Sequence, residues 1–249
     1  MNFLLRGLVV LAFTGRLVGE GPEIDNDTLK NLKLPGVTIN LEARAVDVAS
    51  TVALTEGSLE FFACTENTKE HEAVITVQAK PSHIHTALLL LGAKAGHPAI
   101  RKIVGEGEEE RWIDLAPKGS PLAVSLVVPD KEGKPTERPI SDFVNRLDLE
   151  GNPDSAEAKK RLKTFLFAGS HLIGKEDEPK TYLADKSGSV ISLSTFGDEL
   201  LCLPQIYGHE NHALQWEAKP THLPKVGTKV ILRITPAPPK SLPPPEKKK

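Results

Sequence analysis

Apolar and polar residues alternate in short runs from residue 37 onward, and this period of two predicts strands with one buried face. In the first half of the chain, the predicted strands are residues 37–41, 45–54, 59–64, 73–79 and 121–129. In the second half, they are residues 164–168, 181–184, 190–194, 200–203 and 229–235. We therefore expect a strand-rich domain.

One stretch, residues 81–91, instead repeats its apolar residues at helical spacing. Ile84, Ala87, Leu88 and Leu91 fall at positions i, i+3, i+4 and i+7, which share one face of a helix. The stretch opens on proline, which suits a first helical turn, and glycine follows it as a natural stop. This pattern predicts a firm helix at about residues 81–91.

Shorter helical segments are expected at residues 140–147 and 155–163, and a linker is the alternative for the second of these. Many short strands, one firm helix and no regular alternation of strand with helix favour an α+β fold with a mainly antiparallel sheet. A doubly wound parallel fold would need several helices between its strands, and the pattern does not supply them.

The chain begins like a signal peptide. Arg6 is followed by an apolar run at residues 7–13 and then by small residues, including Gly21, where cleavage could occur. We expect removal of residues 1–21 and a periplasmic or secreted protein; the alternative is a buried first strand. The run is shorter than the roughly 20 residues that span a bilayer, and no later run is long enough.

Composition divides the rest of the chain. Residues 22–36 form a polar lead-in, and residues 37–235 form a single domain with a potential sub-boundary near residues 150–162. Residues 236–249 are rich in proline and lysine and are expected to be disordered. The formal net charge of −2 gives no reason to expect a nucleic-acid partner.

Cys64 and Cys202 are the two cysteines of the chain. In an exported protein they could form a disulfide, which would stabilise the fold by closing a long loop. Both lie among apolar residues, so two separate buried thiols are an equally natural arrangement. Neither has a neighbouring histidine that would favour a catalytic thiolate.

The strongest candidate for a metal site comprises His71, Glu72 and His85, because imidazole and carboxylate groups bind zinc. The alternative is that these residues pair with their neighbours or lie exposed, since the metalloprotease motif with a second histidine four residues on is absent. We expect no catalytic residue and no cofactor other than zinc.

Two further polar segments are weaker candidates. His209 and His212 lie in a segment expected to be a surface loop, and Ser170 beside His171 lacks the Gly-x-Ser-x-Gly pattern of a nucleophile elbow. A strand that ends in a turn explains the Gly-Ser pair without any chemistry.

The segment LEFFACTENTKEHEAVITVQAKPSHIHTALLLLGAKAG resembles the hallmark block of the YdjY-domain proteins. That pattern is matched here by Leu59-Glu60, Lys69, the run at residues 71–73 and the helix ending at Gly92. The resemblance covers about residues 37–205 and implies an exported protein of a family common in planctomycete-type bacteria. The family's biochemical function is not known, so no catalytic residue is implied.

These observations favour an exported, non-enzymatic binding or structural module, with residues 58–92 as its centre. One alternative is a metal-binding protein or metal-dependent hydrolase that uses His71, Glu72 and His85. Another is an envelope-associated scaffold that recruits a protein partner through its tail.

Overall fold

Strands dominate the computed structural model, which describes residues 33–147, 156–208 and 214–237. The strands of the first part are β1 (Val37–Asn40), β2 (Ala45–Val52), β3 (Phe61–Thr65), β4 (Ala73–Val77), β5 (Ala95–His97), β6 (Ile100–Val104), β7 (Arg111–Leu115), β8 (Lys118–Gly119), β9 (Pro121–Pro129), β10 (Pro135–Pro139) and β11 (Val144–Arg146). Those of the second part are β12 (Phe165–Phe167), β13 (Leu172–Ile173), β14 (Thr181–Tyr182), β15 (Ser189–Ser192), β16 (Leu201–Cys202), β17 (Trp216–Ala218) and β18 (Lys229–Pro236).

Eight of these strands close into a barrel, in the order β2, β18, β9, β12, β16, β15, β3 and β4. The barrel closes where β4 pairs antiparallel with β2, with Ser50 opposite Val77 and Val52 opposite Ile75. The β3–β4 and β15–β16 pairs are parallel, and the other neighbours in the barrel are antiparallel. β1 extends the sheet beyond β2, and β10 extends it beside β9.

The core fills the inside of the barrel because alternate residues of its strands point inward. On β9 every second residue from Leu122 to Val128 is buried, and on β18 the buried residues are Val230, Leu232 and Ile234. These side chains belong to one cluster that also contains Trp216 and several phenylalanines. Strands that precede residues 150–162 and strands that follow them therefore contribute side chains to the same cluster.

Three short helices accompany the barrel in the described residues: α1 (Pro81–Leu90), α2 (Ala156–Arg161) and α3 (Leu183–Ser187). α1 buries Ile84, Ala87 and Leu88. Asp185 of α3 accepts hydrogen bonds from the amide and hydroxyl of Ser82, at 2.8 and 2.7 Å. The first backbone amides of a helix have no partner within the helix, and Asp185 accepts a hydrogen bond from one of them, the amide of Ser82.

The predicted α+β class is wrong. A helix does occupy the predicted position near residue 81, but strands account for 42% and helices for 14% of the structure, which is a closed β-barrel. The segment 140–147 was expected to be helical, yet only Ile140–Asp142 forms a short 3-10 turn, and Val144–Arg146 is a strand. Closure of the barrel pairs strands that are distant in sequence. The local spacing of apolar residues carries no information about such pairs, so it does not reveal the barrel.

The predicted signal peptide (1–21), most of the lead-in and nearly all of the tail lie outside the described residues. Within the described ranges, no helix is both long and apolar enough to cross a membrane.

Candidate functional site

The structure does not bring His71, Glu72 and His85 together. His71 and Glu72 lie in a 3-10 turn before β4, whereas His85 lies on α1, which follows β4. Four residue intervals of β4 alone separate the two ends by about 13 Å. The side chain of His71 is 78% exposed, and its nearest carboxylate oxygen is that of Glu72, at 3.7 Å. No group of three potential metal ligands occurs among the described residues.

His85 is instead held by aromatic neighbours. The Tyr182 hydroxyl donates to the carbonyl of Gly169 at 2.8 Å, so its oxygen is left to accept a hydrogen bond from Nδ1–H of His85 at 2.7 Å. The imidazole also meets the Phe167 ring edge-on, with the centroids 4.8 Å apart. Burial lowers the pKa of His85, against the opposing effect of the Gly169 carbonyl. These contacts fix the orientation of the His85 ring, and the lowered pKa favours its neutral form.

Both cysteines are buried, free thiols. Cys64 is on β3 and Cys202 is on β16, and β15 lies between these strands. Burial raises the pKa of both thiols. The structure therefore has the arrangement of two separate buried thiols, in surroundings that keep them protonated.

A connected polar cluster surrounds Lys69. Its ammonium group lies 4.2 Å from the centre of the Phe61 ring and 3.2 Å from the hydroxyl of Ser189. That hydroxyl donates in turn to Asp198 at 3.1 Å. Because Ser189 is fully buried, a substrate cannot reach its oxygen. The chain of contacts links the β3–β4 connection to the loop after β15, and it is structural.

Ser170 also has its hydroxyl fully engaged. The hydroxyl donates to the carbonyl of Asp198 at 2.6 Å and accepts from the amide of Ala184 at 3.1 Å. Its backbone has φ of +50°, a left-handed conformation that non-glycine residues rarely adopt. Through these hydrogen bonds the Ser170 hydroxyl joins the loop at Asp198 to the start of α3. His209 and His212 lie outside the described residues.

An open site of a different kind lies on the outer face of the barrel. The register places Ala49 of β2 opposite Ile231 of β18, and Ile231 opposite Val127 of β9. All three side chains face outward, since their strand neighbours are buried in the core. They form the floor of a groove of about 550 Å³, which also borders Pro129 and Pro135. We call this the apolar groove.

Polar groups flank the apolar groove on both sides. At one side Lys229 donates to the hydroxyl of Thr51 at 2.8 Å. At the other, Arg233 is bidentate to Asp47, with both distances 2.7 Å, and also meets Glu137 at 2.7 Å. Burial raises the pKa of Asp47, but the hydrogen bonds from Arg233 and Asn40 outweigh it and hold that pKa below its ordinary value. The floor of the apolar groove is therefore bordered on two sides by polar side chains that hydrogen bonds and ion pairs hold in place.

The sequence contained a signal for this groove that the strand predictions did not use. A half-buried strand should carry polar residues on its outer face, yet the outward positions of β2, β9 and β18 include alanine, valine and isoleucine. These outward-facing apolar residues lie side by side in one continuous row, and only the pairing register of the three strands shows this.

The fold and the groove define a β-barrel protein with an apolar recess on its outer surface. The chain belongs to the YdjY domain family, whose model matches residues 37–235. Neither the curated proteins nor the solved structures that were compared with the chain include a match.

Proposed function

We propose that this chain is a non-enzymatic binding module that holds an extended, apolar peptide segment of a partner protein in the apolar groove. The observation that carries the proposal is the row formed by Ala49, Ile231 and Val127 across three adjacent strands. Ile231 lies at the centre of this row and is 39% exposed, whereas a polar residue would be expected on the solvated face of a sheet.

The shape of the groove favours a peptide over a compact ligand. A smaller recess of about 220 Å³ shares Ala49 and Ile231 with the groove and reaches Gly36 beside β1. Together they cross the sheet from β1 to β10, which is four strand spacings, or about 19 Å. An extended peptide rises about 3.3 Å per residue, so roughly six residues fit this length. Lys229 on one side of the groove and the Arg233 ion pairs on the other differ, and this difference would determine the direction in which the bound peptide runs.

A panel of variants tests this proposal. Random heptapeptides displayed on phage are selected on the immobilised protein, and selected peptides are measured by fluorescence polarisation. Ile231→Arg places a charge on the groove floor and should weaken binding by about tenfold or more, equivalent to roughly 1.4 kcal/mol. Ala49→Arg should have the same effect.

Leu172→Arg provides the matched control, because Leu172 is 65% exposed on β13, away from the groove. It should leave binding unchanged. Failure to select any apolar peptide, or equal losses in the Ile231 and Leu172 variants, would show that the groove is not the binding site.

We further propose that the protein acts outside the cytoplasm, in the periplasm or as a secreted protein, with an envelope protein as the source of the bound segment. The support is the N-terminal sequence, in which Arg6, an apolar run and small residues precede a polar stretch. N-terminal sequencing of protein from the native host should find a start near residue 22. Recovery of intact Met1 would contradict export.

A further inference from the structure

A two-stranded hairpin carries the most exposed aromatic residue among the described side chains. β6 and β7 pair only with each other, with Ile103 opposite Trp112. Trp112 is 63% exposed and Ile103 is 50% exposed, whereas the other tryptophan, Trp216, is fully buried. Beside them on the same face, Arg101 forms an ion pair with Asp114 at 2.8 Å. Exposed aromatic residues of this kind are typical centres of protein interfaces.

The tip of this hairpin is strongly acidic. Residues 105–110 read GEGEEE, which places four glutamates within six residues. The side chains of Glu106, Glu109 and Glu110 are exposed. A partner for this hairpin therefore needs an apolar recess for the Ile103–Trp112 pair and positive charge around it.

The barrel itself offers a surface with both properties. A second groove, of about 820 Å³, lies between α2 and the outer faces of β9 and β18. Ala123, Pro139 and Leu162 contribute apolar surface, and Lys159, Lys160 and Lys163 line the groove beside α2. We call this the lysine groove.

The described side chains that line the lysine groove carry a net positive charge. All three lysines are exposed. Glu137 also lines the groove, and its carboxylate meets the guanidinium of Arg233, which it shares with Asp47, at 2.7 Å. Three lysines and one glutamate leave this described lining positive, which is the opposite of the charge on the hairpin tip.

We propose that two copies of this chain associate, with the β6–β7 hairpin of each copy inserted in the lysine groove of the other. The Ile103–Trp112 pair would pack on the apolar surface, and the tip glutamates would face the lysines. In a two-fold symmetric pair, both hairpins and both grooves are occupied. No hairpin or groove is left for a third copy, so the assembly closes as a dimer. This proposal does not depend on peptide binding, which involves a different groove.

Charge reversal on each side tests the arrangement by sedimentation velocity over a wide range of protein concentration. Glu109→Lys with Glu110→Lys should make the protein monomeric, and so should Lys159→Glu with Lys160→Glu. These residues are exposed, so the variants should fold. An equimolar mixture of the two variants should form dimers again, because each reversed tip then meets a reversed groove.

Lys131→Glu with Lys134→Glu is the control, since it makes the same change of charge at exposed positions in the β9–β10 turn. This variant should dimerise like the parent. Tryptophan fluorescence gives a second readout: the emission should shift to shorter wavelength as the parent associates, and Trp112→Ala should abolish both the shift and the dimer. A monomeric parent at every concentration, or dimers unaffected by Trp112→Ala, would overturn the proposal. So would a mixture of the charge-reversed variants that stays monomeric.

Discussion

At the scale of single residues, two of the polar candidates that the sequence offers are engaged within the protein. His85 is bonded to Tyr182, and Ser170 joins Asp198 to Ala184. The sequence gives residue types but not partners, so it does not distinguish a site from a structural bond. The floor of the apolar groove is formed by apolar residues, which carry no chemical signature in a sequence.

The two histidines of the metal hypothesis should behave differently on substitution. His71→Ala changes an exposed surface side chain and should alter the free energy of unfolding by less than about 0.5 kcal/mol. His85→Ala removes a hydrogen bond and an aromatic contact, and should cost about 1–3 kcal/mol. Urea denaturation measures both.

Elemental analysis of the same proteins completes this comparison. We expect no stoichiometric zinc in the parent, because the candidate ligands lie at opposite ends of β4. Zinc that is present in the parent and lost in the His71→Ala variant would contradict that expectation.

Glu199 should make stability depend on pH. It is fully buried, and its Oε1 accepts hydrogen bonds from the amides of Phe196 and Gly197. Burial raises the pKa of this carboxyl, although the amide hydrogen bonds act in the opposite direction. The native state then holds the proton more tightly than the unfolded chain. The free energy of unfolding should therefore fall as the pH rises from the ordinary glutamate pKa through the raised one.

Glu199→Gln should remove this contribution and flatten the dependence. Urea midpoints measured across the acidic and neutral range provide the test, with Glu176→Gln, at an exposed position, as the control. An unchanged pH profile in the Glu199 variant would mean that the buried carboxyl does not control stability there.

At the scale of elements, local periodicity predicted strands well where one face is buried. Residues 121–129 were predicted as a strand and form β9, and α1 begins at the predicted proline. β11 was missed, because three residues are too few for a pattern. The floor of the apolar groove was missed as well, since its residues come from three strands and meet only through register.

The face of α1 offers a direct test at this scale. Leu88 is fully buried, so Leu88→Ala should cost about 2–5 kcal/mol of unfolding free energy. Leu91 is only partly buried against the core, and its replacement by alanine should cost less. Leu89, which is 48% exposed, gives the control and should change stability by less than about 0.5 kcal/mol. Equal losses at positions 88 and 89 would mean that both faces of the helix are covered.

At the scale of the whole molecule, the barrel depends on strands from both ends of the described chain. β18 lies between β2 and β9 and pairs with both, from Lys229 to Pro236. The sequence predicted this strand but not its place, because strand order is set by packing between segments that are distant in sequence. The class prediction was wrong for the same reason.

Truncation should show how far the barrel depends on β18. Removal of residues 229–249 opens the barrel and exposes core residues of β2 and β9, so cooperative thermal unfolding should be lost. Removal of residues 238–249 alone leaves every described strand intact and should hardly change the melting temperature. Differential scanning calorimetry distinguishes the two, and a cooperative transition in the longer deletion would show that the remaining strands form a stable core.

The position of β18 also affects when the protein can fold during biosynthesis. β18 follows the other seven barrel strands in the chain, so β2 waits for this partner until those strands have been synthesised. Contacts between such distant segments form slowly, because a long loop must close first. The nascent chain is thus kept from completing its barrel until β18, the last of the eight barrel strands, has been synthesised. If the protein is exported as proposed above, that delay would keep the polypeptide unfolded while it passes through a translocation channel.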